Sequence, residues 1–367
     1  YFDNPFTLND VLKKAKSESL KKRRGYFGIF SDRSLHLPGT QLEVFIPPVV
    51  LPSNFLPEGT LYRFILKINE FLIRQKINYV LRKRNIDSFV YINSFNFHYP
   101  GLADGLAPQL RVYHCLDPIM GSFDGRHGLP SEKQLVQTAD LVICSSKKLH
   151  DDKIARNSHT YFVPNAADVQ HSQKALDPEL AISSLLKNIP QPIVGYLGSI
   201  DHRMNFQLLK KTAIEHPEKS FVLVGPVQCA IPEHVQQCPN IYFPGKTSYA
   251  EMPAVLKGFA VCIIPFNKDE LSATVFPLKL FEYLGAAKPV VISDFNPDLA
   301  DFTDDLVQIC STYADFSKAI QLSLDTDSPA LRARRIELAA QNTWVRRGED
   351  IAALLSEALI RKSGRPL

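Results

Sequence analysis

Apolar and polar positions along this 367-residue chain follow two periods, and the switches between them define its elements. From Thr60 to about Arg84, Leu61, Phe64, Ile65, Ile68, Phe71 and Leu72 recur at helical spacing behind Gly59-Thr60, which predicts one long helix. Short apolar runs at Phe89–Ile92, Leu110–Cys115, Leu141–Cys144 and Tyr161–Val163 read as buried strands. A helix over Lys147–Ala155 starts behind a Ser145-Ser146 cap. Upstream, Tyr1–Asn4 reads as the end of a strand. Leu42–Leu51 is an edge strand or extended loop, because Pro47 and Pro48 cannot donate to a ladder. Pro164-Asn165-Ala166-Ala167-Asp168 and a polar stretch to about Pro190 break the rhythm. Strands then recur at Ile193–Gly198, Phe221–Gly225, Ile241–Phe243, Val261–Pro265, Pro289–Ile292 and Leu306–Ile309. Helices are predicted at Met204–His216, Tyr249–Gly258, Tyr313–Leu324 and Pro329–Ile360, the last interrupted near Asn342-Thr343. This alternation implies parallel sheets, hence an α/β protein of two doubly wound, Rossmann-like domains.

The densest stretch is Phe276-Pro277-Leu278-Lys279-Leu280-Phe281-Glu282-Tyr283-Leu284-Gly285-Ala286-Ala287-Lys288-Pro289. Pro277 suits a first helical position, and Gly285 with Pro289 ends the helix. Lys279 and Glu282, three apart, share a face near the helix N-terminus. They make either a solvated ion pair or a ligand site, in which the cation and helix start hold a phosphate and the carboxylate accepts sugar hydroxyls. Ligands of open parallel sheets sit at the carboxyl ends of strands. There the second half offers Ser199-Ile200-Asp201-His202-Arg203, Gly225-Pro226-Val227, Pro244-Gly245-Lys246-Thr247-Ser248 and Phe266–Thr274, loops rich in Gly, hydroxyls and cations.

Composition adds less. Net charge is +4. Residues 1–170 hold 22 Lys+Arg against 16 Asp+Glu, and the remainder 20 against 22. The surplus falls in two runs: Lys13, Lys14, Lys16, Lys21, Lys22, Arg23 and Arg24, then Arg74, Lys76, Arg82, Lys83 and Arg84. Each is a solvated face or a contact for an anionic surface such as a membrane leaflet. The six cysteines lack metal-ligand spacing, several lie in apolar runs, and no stretch is long enough to span a bilayer. Without a signal peptide the expected location is cytoplasmic, at most peripheral at the inner face of the membrane. The start at Tyr1 rather than Met leads us to expect an upstream segment.

The Pro164-Asn165-x-x-Asp168 hinge, the Gly195-Tyr196-Leu197-Gly198 strand and the Pro277–Val291 helix-strand resemble GT-B fold glycosyltransferases, nearest to the bacterial teichuronic-acid and xanthan enzymes. The resemblance covers most of residues 85–310. It implies an acceptor-binding domain over 1–168, lacking its first strand and helix, and a nucleotide-sugar domain over 169–342. A C-terminal helix over 343–367 would cross back to the first domain, the two domains facing across a cleft. It implies a UDP-sugar or other nucleotide-sugar donor and a saccharide or lipid-linked acceptor. Glu282 would bind ribose hydroxyls, Lys279 and Arg203 the diphosphate, and Gly198, Gly225, Gly245, Lys246 and Thr274 would line the donor site. No cofactor, metal or nucleic acid is expected.

Many retaining relatives carry an acid eight residues before the motif's Glu, and here that position is Thr274. Inversion is therefore favoured, with a general base sought at a strand end of the first domain. Asp117, after the Leu110–Cys115 strand, is the first candidate. His114 is the second and Asp124 a further one; Asn96 and His98 would contact acceptor. The competing readings are a sugar-nucleotide epimerase on the same fold and a non-catalytic nucleotide-binding subunit.

Overall fold

The computed structural model describes residues 1–13 and 18–363, apart from the side chains of Ser19, Ser122, Phe123, Asp124 and Ser363. Lys14 and Lys16 of the first basic run, and the Asp124 carboxyl, lie outside the described residues. Twelve strands are described: β1 Ser34–His36, β2 Glu43–Phe45, β3 Val90–Ser94, β4 Leu110–Cys115, β5 Leu141–Cys144, β6 Thr160–Phe162, β7 Ile193–Leu197, β8 Ser220–Val224, β9 Ile241–Gly245, β10 Val261–Ile264, β11 Val290–Ser293 and β12 Val307–Cys310. The chain divides into two compact units. One comprises 1–143, 151–161 and the residues from Leu355 onward; the other comprises 144–150 and 162–354.

The second unit is built on one parallel sheet of order β12-β11-β10-β7-β8-β9. Every residue of β7, β8, β10 and β11 is buried, as continuous apolar runs covered on both faces require. β7 pairs with β8 from Ile193↔Ser220 to Leu197↔Val224, and with β10 at Val261↔Val194 and Cys262↔Gly195. The chain winds outward through β8 and β9, then returns to β10 and winds the other way. The strand order therefore reverses between β7 and β10, and in such sheets that point opens a crevice at the carboxyl ends. One contiguous apolar core spans this unit, from Ala167 to Ala339.

In the first unit, β1 and β2 form an antiparallel pair, and a second sheet has the order β3-β4-β5-β6. β3 pairs with β4 in parallel from Val90↔Leu110 to Ser94↔His114. β3 is an edge strand, only one of its five residues is fully buried, and Ile92 is 46% exposed. Tyr1–Asn4 makes a single parallel bridge, Phe2↔Phe45, rather than a strand, and β2 stops before Pro47-Pro48. A cavity of about 580 Å³ lies against β3, lined by Phe2, Asn4, Ile73, Phe89, Asn96 and Tyr99 among others.

The long helix forms as expected, over Thr60–Lys83, but its buried face is not the one that periodicity selected. Leu61, Phe64 and Phe71 are more than half exposed, while Tyr62, Leu66, Asn69, Glu70, Ile73 and Lys76 turn inward. The polar members pay for burial by satisfying loop backbone. The Asn69 amide exchanges two hydrogen bonds with Leu51 (both 2.9 Å), and Glu70 accepts from the Gly101 N–H at 2.6 Å. Lys76 donates to the carbonyls of Gly28 (2.7 Å) and Ser31. The second basic run is thus only partly a surface feature. Lys76 is fully buried, Arg74 donates to Gly101 O at 2.8 Å, and Arg84 pairs with Glu43 at 2.8 Å.

Candidate functional site

At the reversal point three strand ends are tied together by backbone. The Gly198 N–H donates to Val224 O and the Gly225 N–H to Gly245 O, each at 2.9 Å. Gly198 and Gly225 adopt φ of +146° and +155°, which side chains rarely tolerate. They also touch: a Cβ on Gly225 would lie 1.9 Å from Gly198 O, and one on Gly198 would lie 2.7 Å from Lys279 Nζ. The floor of the crevice is therefore bare main chain.

The helix expected to carry the chemistry runs Leu278–Gly285. Pro277 is its N-cap, extended at φ −78° and ψ 117°, and not its first helical residue. The left-handed turn after the helix falls on Ala287 (φ 59°) rather than Gly285. Gly285 instead makes room for the helix Val169–Gln173, since a Cβ there would meet Ser172 Oγ at 2.6 Å. Leu280, Phe281, Tyr283 and Leu284 bury one face. Tyr283 then locks the helix to β7: its hydroxyl accepts from the Leu197 N–H at 2.8 Å and donates to Leu197 O at 3.1 Å.

Lys279 and Glu282 do share the opposite face, but neither forms a solvated pair. Lys279 Nζ donates to Tyr196 Oη at 2.6 Å and lies 4.2 Å from the Tyr196 ring centroid and 5.0 Å from that of Phe266. Burial pulls its pKa down to about 7, and the Arg203 charge acts the same way. Burial pushes the Glu282 carboxyl up, opposed by Lys279. Arg203 is clamped by Asp201, Nε to Oδ1 at 2.9 Å and Nη2 to Oδ2 at 2.5 Å, with its guanidinium 5.3 Å from the Phe266 centroid. Two cations thus flank one aromatic ring beside a glycine floor, with a recessed carboxyl one turn along the helix. Such an arrangement can take an oxyanion and a hydroxylated ring together.

The hinge supports this wall within the same unit. Asn165 Nδ2 donates to Phe276 O at 3.1 Å, just ahead of the helix, and Arg347 Nε donates to Pro164 O at 3.1 Å. Asp168 caps the helix Val169–Gln173 and accepts from Tyr249 Oη at 2.9 Å; Tyr249 stacks on His171 at 4.2 Å.

Gly198, Arg203, Gly225, Lys279 and Glu282 converge, and Gly245 joins them through its backbone. Lys246 is exposed in the loop after β9. Thr274 is buried, its hydroxyl donating to Leu271 O at 2.6 Å within its own turn. In the first unit Asp117 is exposed beyond β4, and His114 lies on that strand, with Nδ1 3.5 Å from Ser94 Oγ and its pKa lowered by burial. Asn96 and His98 line the cavity against β3; Asn96 Nδ2 donates to Asn4 Oδ1 at 3.0 Å, while its buried Oδ1 finds no partner among the described residues. Sequence reasoning missed Tyr196, Phe266, Asp201 and Tyr283. Each sits in a quoted motif or loop, but the aromatics read as core, and nothing local shows that Asp201 orients Arg203.

Comparison with known proteins bears on the same region. Residues 191–325 match the family model described as Glycosyl transferases group 1. This stretch is a group 1 glycosyltransferase domain. It contains Gly198, Arg203, Gly225, Lys279 and Glu282. TuaH of Bacillus subtilis, a protein whose name assigns it as a glycosyltransferase of teichuronic acid biosynthesis, is 29% identical over 197 residues, 49% of each chain. The match thus spans about half the length of that curated relative. Among solved structures, sucrose-phosphate synthase from Thermosynechococcus elongatus superposes with a TM-score of 0.61 at 15% identity, over 98% of this chain and 88% of that one. HepE from Anabaena, crystallised with UDP-glucose, superposes with a TM-score of 0.55 at 15% identity, over 81% and 89%. The fold around the group 1 domain is accordingly GT-B, with two Rossmann-like units.

Proposed function

We propose that the chain transfers a sugar from a nucleoside diphosphate donor, a UDP-sugar, to a saccharide or lipid-linked acceptor in the synthesis of a cell-surface polysaccharide. The observation that carries this reading is the convergence of Lys279, Arg203 and Glu282 on the glycine floor at the strand reversal, inside a group 1 domain. Lys279 and Arg203 would neutralise the departing diphosphate, so the reaction should need no metal, and Glu282 would accept the ribose hydroxyls. HepE, of the same fold, was crystallised with UDP and with UDP-glucose, which supports the choice of base. Asp117 is the proposed general base of an inverting transfer, with His114 behind it and Asn96 and His98 on the acceptor.

The test is incubation with UDP-, GDP- and TDP-sugars, with and without chelator. Slow release of sugar and UDP, unchanged by chelator, supports the reading; isomerised nucleotide sugar, or binding with no turnover, overturns it. Asp117→Asn should abolish transfer and leave UDP affinity intact, and full retained turnover would remove Asp117 as the base. Among the described residues no helix is long and apolar enough to cross a membrane. A peripheral contact would fall to exposed basic residues such as Lys21, Lys22, Arg82 and Lys83, and sedimentation with anionic vesicles tests it.

A further inference from the structure

One buried aromatic in the second unit has a polar tip that core packing does not require. Tyr196 is the fourth residue of β7, the strand at the reversal point, and is fully buried among Phe266 and the strand ends. A core position of this kind is ordinarily filled by Phe or Leu; a buried phenol needs its hydroxyl matched on both sides. Here it is. The O–H donates to Ser199 O at 2.7 Å, at the start of the loop that carries Asp201 and Arg203, which leaves the oxygen lone pair for Lys279 Nζ at 2.6 Å.

We propose that Tyr196 is a positioning residue: it holds the Lys279 side chain extended along the glycine floor, ammonium forward, for the diphosphate of a nucleotide-sugar donor. The inference rests on the nucleotide reading above and adds to it a residue that does not touch the ligand. Three details carry it. An ammonium has three N–H groups, Tyr196 takes one, and among the described residues no other hydrogen-bond acceptor engages Nζ, so two remain for phosphate oxygens. The Tyr196 and Phe266 rings, with centroids 4.2 and 5.0 Å from Nζ, surround it with polarisable surface that carries no formal charge, so the cation is held without being neutralised. The absent Cβ of Gly198 is what lets Nζ lie there, 2.7 Å from where that atom would stand.

The hydroxyl also sets the charge. Because its hydrogen is committed to Ser199 O, it can only accept from Lys279, which favours the protonated amine against the desolvation that lowers it. The other groups facing Lys279 are Arg203, which opposes its charge, and Asp201 and Glu282, which favour it. Above about pH 7 the free site should therefore take up a proton when the diphosphate binds, and removal of the Tyr196 hydroxyl should extend that uptake to lower pH.

The experiment is a double-mutant cycle read by calorimetry with UDP as the probe, in two buffers of different ionisation enthalpy. Tyr196→Phe keeps the ring and the packing. In the wild-type background it should weaken UDP about tenfold and move the onset of proton uptake to lower pH; in the Lys279→Ala background it should change affinity less than about twofold. An equal loss in both backgrounds would mean that Tyr196 acts through the fold alone and would overturn the proposal, as would an unchanged affinity and pH profile in the wild-type background. Should Tyr196→Phe fail to fold, Tyr196→Met is the second variant that removes the hydroxyl, and a UDP affinity and pH profile unchanged from wild type in it would sink the idea. If Lys279→Ala itself leaves UDP affinity unchanged, the nucleotide site has failed rather than the role of Tyr196.

Discussion

The two units solve the same problem, a parallel sheet with helices against it, by different chemistry. In the second unit the sheet interior is almost wholly apolar, and the strand order fixes where a ligand can enter. Around the long helix of the first unit, buried polar groups do much of the holding: Asn69 on Leu51, Glu70 on Gly101 and Lys76 on Gly28 and Ser31. Below β4 a further set is buried together, Glu132 accepting from Tyr113 Oη at 2.9 Å and pairing with Lys153 at 3.1 Å. An apolar sheet tolerates error in detail because burial is non-directional, whereas a buried polar clamp fails as soon as one partner is lost. The first unit should therefore be fragile at single polar side chains. The second should be fragile at its glycine floor.

The largest effect expected is that of Gly225→Ala. Its Cβ would strike the Gly198 main chain, which cannot move without breaking the β7–β8 tie from Gly198 N–H to Val224 O, so we expect a loss of more than about 4 kcal/mol from the second unit and no UDP binding. Thermal unfolding with hydrogen exchange resolved by unit would read it, and a wild-type midpoint would refute the close approach. Glu132→Ala sharpens the other side. It removes the acceptor of the buried Tyr113 hydroxyl and one ion-pair partner of Lys153, and should cost about 3 kcal/mol, confined to the first unit, with UDP affinity unchanged. Lys279→Ala should weaken UDP roughly 30-fold, about 2 kcal/mol, and should stabilise rather than destabilise the free protein at and below pH 7, because it removes the desolvation penalty of the buried ammonium.

The pH dependence of the second unit follows from the same lysine. Its folded pKa of about 7 lies below the ordinary 10.5, so between those values the unfolded chain binds more protons and stability of the ligand-free unit rises with pH. Below pH 7 both states are protonated and the penalty is constant. A scan from pH 7 to 9.5 should show the rise, Lys279→Met should flatten it, and saturating UDP, by keeping the bound lysine protonated, should flatten it as well. The smallest effect is at the surface: Lys268→Ala removes an exposed pair with Asp294 (2.9 Å) and should shift stability by less than about 0.5 kcal/mol.

This contrast also explains what could be read from the sequence. All six strands of the second unit are visible in its apolar runs to within a residue or two, because a sheet covered on both faces leaves few polar positions, Ser220, Ser293 and Gln308 among them, to mislead. The ligand wall was legible for a related reason: Lys279, Glu282 and Arg203 are charged residues at strand ends, where the core has no use for them. Tyr196 and Phe266 were not, since the role of an aromatic ring under a cation depends on which strands are neighbours. For the long helix, period was legible and direction was not. Leu61, Phe64 and Phe71 mark a true helical stripe, but Asn69, Glu70 and Lys76 are the residues that find partners, and those partners are main-chain groups of distant loops that no local pattern displays. The same loops take Lys76 out of what reads as a basic surface.

The glycine pair at the reversal point carries an evolutionary consequence. Position 225 is forbidden to any side chain by another residue's main chain, and no second substitution can relieve that. Position 198 is constrained by its backbone angle and by the tip of Lys279, so part of its burden would lift if residue 279 were shortened. Drift at 198 should therefore be contingent on prior loss of the lysine, and lineages that abandon the ligand should lose the glycine at 198 before the one at 225. A descendant that retains glycine at 225 alone would be keeping the sheet after surrendering the chemistry.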